Sequence, residues 1–126
     1  MLGAAAQAPS PLGLWQTINE RGQPEALVRI TEVDGELRGH IVTVYSPPAP
    51  SANPLCELCP GELKGKPVVG MQILRAQHGE GEILDPDEGR VYRCTLTLLE
   101  GGAKLEVRGY VGISLFGRSQ VWVRAR

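Results

Sequence analysis

The chain has little with which to grip a nucleobase or a charged surface. Its 126 residues include 1 Phe, 3 Tyr and 2 Trp, too few aromatics for a base-stacking platform. Lys plus Arg number 13 against 14 for Asp plus Glu. The basic excess that nucleic acid or an anionic membrane demands is therefore missing. No apolar run approaches the roughly 20 residues of a helical membrane span. No amphipathic pattern of three helical turns occurs either, which excludes bundles and βαβ alternation.

What the chain does have is strand punctuation. Leu14–Ile18 reads as a short first strand, broken by Asn19-Glu20-Arg21-Gly22 and Pro24. From Ala26 to Val33 apolar and polar residues alternate, and Asp34-Gly35 supplies a hairpin turn with positive φ at both central positions. Glu36–Tyr45 is the returning strand, rich in β-branched residues. Further strands follow at Val68–Leu74, Gly81–Leu84, Val91–Leu99, Lys104–Val111 and Ser119–Val123. Asp85-Pro86-Asp87-Glu88-Gly89 reads as a turn, and Gly101-Gly102 as a hairpin. Eight short strands with local connections predict an all-β fold: a single antiparallel up-and-down barrel, closed so that no edge is left exposed. A barrel of this size is either filled with side chains or holds one small ligand.

The exception to the strand pattern is Ser46–Lys66, with five prolines and the Cys56-Glu57-Leu58-Cys59 motif. Loops of this length are functional or pinned down. A helical turn is expected over Asn53–Leu58, with Pro54 at its first position after an Asn cap. The cysteines admit several chemistries. A redox pair needs a strand-to-helix junction, which a proline-rich loop does not provide. A metal half-site needs two further ligands, for which Cys94 with His40 or His78 is the available set, on separate elements. The expected role is a structural disulfide, Cys56–Cys59 or one drawing on Cys94, since a two-residue spacer makes a tight loop. No cofactor and no metal is expected.

The lead-in, residues 1–12, is small, apolar and proline-rich, and Ala6-x-Ala8 has the shape of a signal-peptidase site. It reads as a disordered tail or the remnant of a signal peptide, with residues 13–126 as the barrel domain and a periplasmic or secreted location. Catalysis has no visible carrier. Serines and histidines lack a nucleophile elbow, no carboxylate pair stands out, and Asp85, Asp87 and Glu88 lack calcium-loop spacing.

Functional promise lies in polar residues on apolar strands. Gln120, Trp122 and Arg124 share one face of the last strand, and Arg108 and Tyr110 alternate with Val107, Gly109 and Val111 on the strand before it. Turned inward, Arg108, Tyr110, Gln120 and Trp122 would line a pocket suited to an anionic or partly apolar ligand. Turned outward, they leave Val and Leu to fill a solid core, which is the expected arrangement. A filled barrel would instead use the 46–66 loop to meet a protein partner or a second copy of the chain.

Several stretches together resemble an uncharacterised bacterial family, domain of unknown function 2147. They are Gly13-x-Trp15, Val28-Arg29-Ile30, Asn53-Pro54, Lys66-Pro67-Val68-Val69-Gly70 and Ile83-Leu84-Asp85-Pro86-x-x-Gly89-x-x-Tyr92-x-Cys94. The closing Val107–Leu115 and Arg118-x-Gln120-x-Trp122-x-Arg124 complete the pattern. The resemblance implies an exported protein with a lipocalin-like barrel and no established activity. The Gly-x-Trp opening also looks like the start of lipocalins, which implies a structural pairing of Trp15 with a late arginine, Arg124 or its rival Arg108. A guanidinium over an indole face would tie the first strand to the last.

Overall fold

Hairpin follows hairpin until the last strand meets the first. The structure, a computed structural model, describes residues 9–19, 21–45, 54–86, 88–110 and 118–125. The strands are β1 (Gly13–Ile18), β2 (Pro24–Val33), β3 (Glu36–Val44), β4 (Gln72–Gln77), β5 (Glu80–Asp85), β6 (Arg90–Leu99), β7 (Lys104–Tyr110) and β8 (Arg118–Arg124). They form a closed antiparallel barrel in sequence order. Asp34 and Gly35 take φ of 54° and 81°, the turn that joins β2 to β3 without splaying them. Pro24 is tolerated as the first residue of its strand, where its missing N–H costs least.

Three local expectations are corrected. The stretch Pro54–Leu58 is not helical; Asn53 lies outside the described residues. Leu55 bridges to Pro67 instead, the Cys56 N–H donates to the Lys66 carbonyl, and the Val68 N–H donates to Pro54. Those cross-chain bonds consume the groups a helical turn would need, and the short 3-10 turn falls at Gly61–Leu63. The strand expected from Val68 begins at Gln72, because Val68–Gly70 turns, with Gly70 at φ 92° and the Met71 N–H donating to Val68. Between β6 and β7, a 3-10 turn at Glu100–Gly102 replaces the simple diglycine hairpin, with Glu100 itself at φ 50°.

The buried core runs along the barrel, with Ile41, Met71, Ile73, Leu84, Cys56 and Cys59 toward one end and its largest fully buried side chains toward the end where β2 meets β3, β4 meets β5 and β6 meets β7. Trp15, Val28, Ile30, Leu74, Leu105 and Trp122 are fully buried there, together with Cys94. Each such side chain removed from water contributes about 1.5–3 kcal/mol before entropy is counted. On the outer wall of the same end, Glu36 accepts hydrogen bonds from Arg38 at 3.0 Å and Arg75 at 2.7 Å, joining β3 to β4. The Arg75 hydrogen bond, above all, holds the Glu36 carboxyl below its usual range.

Candidate functional site

The floor of the site is made by the two chain ends. Trp15 pairs with Arg124 across the β1–β8 seam, and the Arg124 guanidinium lies 4.2 Å from the centre of the Trp15 ring. Its other valences are taken by the lead-in and the opposite turn. Nε donates to Gly102 at 2.8 Å, Nη1 to Leu12 at 2.8 Å and Nη2 to Ser10 at 2.6 Å. The Trp15 indole N–H donates to Pro11 at 2.8 Å, so Pro9–Leu12, although irregular, is fastened over the barrel floor. Gly13 is required by this packing, since a Cβ there would lie 2.9 Å from Arg124 Nη1 at a φ of 122°. Arg108 is not the partner. It pairs with Ser119 on the opposite face of β7 from Leu105 and Val107.

Above the floor the barrel holds an open pocket. A cavity of about 1340 Å³ opens toward the end where β1 leads to β2, β3 to β4 and β5 to β6. Its deep wall is apolar: Val28, Ile41, Ile73, Ile83, Val107 and Trp122. Polar groups gather at the rim, among them Asn19, Arg21, Glu25, Asp85, Glu88 and Arg90. The wall is also incomplete at one seam. Among the described residues β1 and β8 pair only at Trp15–Arg124 and Gln16–Val123, and the bulge at Thr17/Ile18 turns the end of β1 aside. Residues from both faces of β8, Ser119 and Val121 as well as Gln120 and Trp122, consequently border the cavity.

One side of the mouth is a strap held by the Cys56–Cys59 disulfide. Both cysteines are buried, whereas Leu55 and Leu58 on the same strap are 50% and 62% exposed at the rim. The strap leans on the β5–β6 turn: Cys56 Sγ lies 3.5 Å from the Pro86 carbonyl, and a Cβ at Gly89 would collide with the Leu58 carbonyl. The Asp85–Gly89 turn thus has a second task that its composition does not announce. It closes through Gly89 N–H to the Asp85 carbonyl, and Tyr92 donates to Glu88 at 2.6 Å across the rim. That hydrogen bond is the main reason the Tyr92 phenol titrates above its usual range.

The remaining thiol, Cys94, is buried in the wall, where desolvation pushes it up to about 11, with Glu82 adding to the effect. It is an inert core residue at neutral pH. The histidines that sequence reasoning set beside it are apart from it. His40 alternates with the buried Gly39 and Ile41 on β3, and His78 sits in the β4–β5 turn. Among the described residues no group of three or more His, Cys, Asp or Glu side chains is placed to hold a metal ion.

The two polar rows separate. Val107 pairs with Gln120 and Leu105 with Trp122, so Gln120 and Trp122 stand on the same face as the apolar row of β7; Trp122 is buried, Gln120 is exposed where that face borders the cavity, and Arg108 is left on the opposite face. Trp122 is 1% exposed and donates its indole N–H to Gln120 Oε1 at 3.2 Å. The expected outward arrangement is corrected for Trp122, which is buried, whereas Gln120 on the same face is exposed. Tyr110 ends β7, and its side chain lies outside the described residues. Arg21, Tyr92 and the apolar wall of Ile41 and Ile73 are site residues that sequence reasoning did not single out; nothing in a lone loop arginine marks it beforehand.

Comparison with known proteins agrees with the barrel fold. A solved structure of protein HP1028 from the human pathogen Helicobacter pylori, described as belonging to the lipocalin family, superposes with a TM-score of 0.75. The match covers 94% of this chain and 84% of that one at 17% identity, a likeness of fold. A search of curated proteins finds no match. Residues 13–124 match the model of a family described as uncharacterized protein conserved in bacteria, DUF2147, and the chain belongs to that family.

Proposed function

We propose that the protein is a non-enzymatic binder of a small, largely apolar molecule, held in the open half of the barrel. The observation that carries this reading is the cavity itself. It has an apolar floor at Val28, Ile41, Val107 and Trp122 and a polar rim, the division of labour common to small-molecule sites. The disulfide supports an exported, periplasmic setting, because such bonds persist in oxidising compartments. Ligand uptake is tested with phenylnaphthylamine, a dye that brightens in apolar surroundings. The expected result is saturable brightening that is lost in Val107→Phe, which fills the cavity beside Trp122, with the unfolding midpoint kept. A dye that binds both proteins alike would sink the reading.

The exposed Leu55 and Leu58 favour a second reading, in which the strap docks a protein partner or another copy of the chain. Both leucines also border the cavity mouth, so the binding reading accounts for them without a partner. Size-exclusion chromatography with Leu58→Ser separates the two. An apparent mass that falls on substitution supports docking between copies, and one that does not change removes self-association.

A further inference from the structure

We propose that Gln120 sets the specificity of the cavity, its amide N–H group selecting ligands with a hydrogen-bond acceptor on an apolar body. A ketone, an ester or a carboxylate would each qualify. The inference rests on the binding reading above and adds to it the chemistry of the ligand's polar end.

The argument starts from the neighbour. An indole nitrogen can only donate, and the Trp122 N–H meets Gln120 Oε1 at 3.2 Å. Trp122 is buried and cannot turn to water for another acceptor. The amide of Gln120 therefore has one workable orientation. Reversed, it would set its NH2 against the indole N–H, two donors facing each other with no acceptor. Oxygen toward the indole means nitrogen away from it.

Three further donors of the lining are engaged within the protein, while Arg21 lies out at the rim and Ser119 stands on the other face of β8. Thr17 Oγ1 reaches the Ala26 carbonyl at 3.5 Å, Tyr92 donates to Glu88 at 2.6 Å, and Asn19 Nδ2 donates to Gln23 at 3.3 Å. No acceptor among the described residues meets Gln120 Nε2, although the side chain stands on the same face of β8 as Trp122, opposite Val107. The residue is exposed, and the space it is exposed to includes the cavity it lines. With Val107 and Trp122 beside it, a ligand that covers this nitrogen removes its water, so one that offers a matched acceptor is favoured and one that does not leaves a polar group unpaired. Because Trp122 fixes the amide beforehand, no orientation has to be found on binding.

The test compares methyl heptyl ketone, which carries one acceptor, with nonane, which carries none, each displacing phenylnaphthylamine from the full chain. Gln120→Glu, assayed at mildly alkaline pH, keeps an oxygen for the Trp122 indole but turns the donor into an acceptor. It is expected to weaken the ketone about 10-fold while leaving the dye within about twofold. Gln120→Leu is expected to weaken the ketone and to leave nonane unchanged. Both substitutions fall at an exposed position, and retained dye binding reports that the barrel is folded. Ketone affinity that is unchanged in both variants, or that falls only in step with the dye, overturns the role of Gln120 and leaves the cavity a binding site. A wild-type protein that takes up neither dye nor ketone overturns the binding reading and this inference with it.

Discussion

The two ends of the barrel solve opposite problems. At the floor, Trp15, Ile30, Leu74, Leu105 and Trp122 are sealed from water, and one arginine satisfies three carbonyls while covering an indole. At the mouth, the same strands part around a cavity of about 1340 Å³, and order comes from a short disulfide strap resting on a proline turn. Hollowing a barrel forfeits packing that would otherwise stabilise it. The difference teaches where that loss is offset: the floor is dense and multiply tied, which leaves the mouth free to be shaped for a ligand.

The sharpest way to break this contrast is to loosen the floor. Arg124→Met removes three charged hydrogen bonds and the contact over Trp15, and is expected to cost about 3 kcal/mol, read from urea unfolding. Dye affinity measured well below the unfolding midpoint should change little. A variant as stable as the parent would mean that the ends are not what holds the barrel shut.

A smaller effect is expected at the mouth. Replacing Cys56 and Cys59 together by serine frees a loop of sequence separation 3, at a cost of about 2 kcal/mol. Here the dye should suffer as well, because Leu55 and Leu58 border the cavity. If stability falls and binding does not, the strap belongs with the floor and not with the site.

The weakest effect concerns the outer wall. Glu36 has its carboxyl held below the usual range, chiefly by the Arg75 hydrogen bond. A depressed acid stabilises the folded state above the ordinary carboxylate range and ceases to do so as pH falls through its folded value. The wild-type and Glu36→Gln melting temperatures should therefore differ slightly at neutral pH and converge in acid. The pair is exposed, so added salt should narrow the gap too.

The barrel was legible in the sequence because each of its hairpins is local. Alternation marks β2 and β6, and Asp34-Gly35 forces the chain back on itself, so the order of strands follows without long-range information. The cavity was not legible. Alternation divides β8 into two rows but treats the faces as equivalent, and only pairing Leu105 with Trp122 puts Trp122 on the buried face. Arg108, an odd number of residues from Leu105, is carried to the opposite face by the same register. The strap was misread for a related reason. A local cap signal at Asn53-Pro54 competes with the pairing of Leu55 to Pro67, and that pairing is invisible to a window of a few residues.

The tie between Arg124 and the lead-in has a consequence for the order of events in folding. Seven of the eight strand pairings join neighbours in the chain, but Arg124 reaches Leu12 and Ser10 across separations of 112 and 114 residues. Closing so long a loop is entropically the most expensive step, and the hairpins can form before it. Contacts made after the transition state govern how fast a protein comes apart, and hardly how fast it assembles. Arg124→Met should accordingly steepen the loss of native protein with time and leave the refolding rate near that of the parent. The half-buried clasp at the floor then acts as a timer, setting how long an assembled barrel stays assembled.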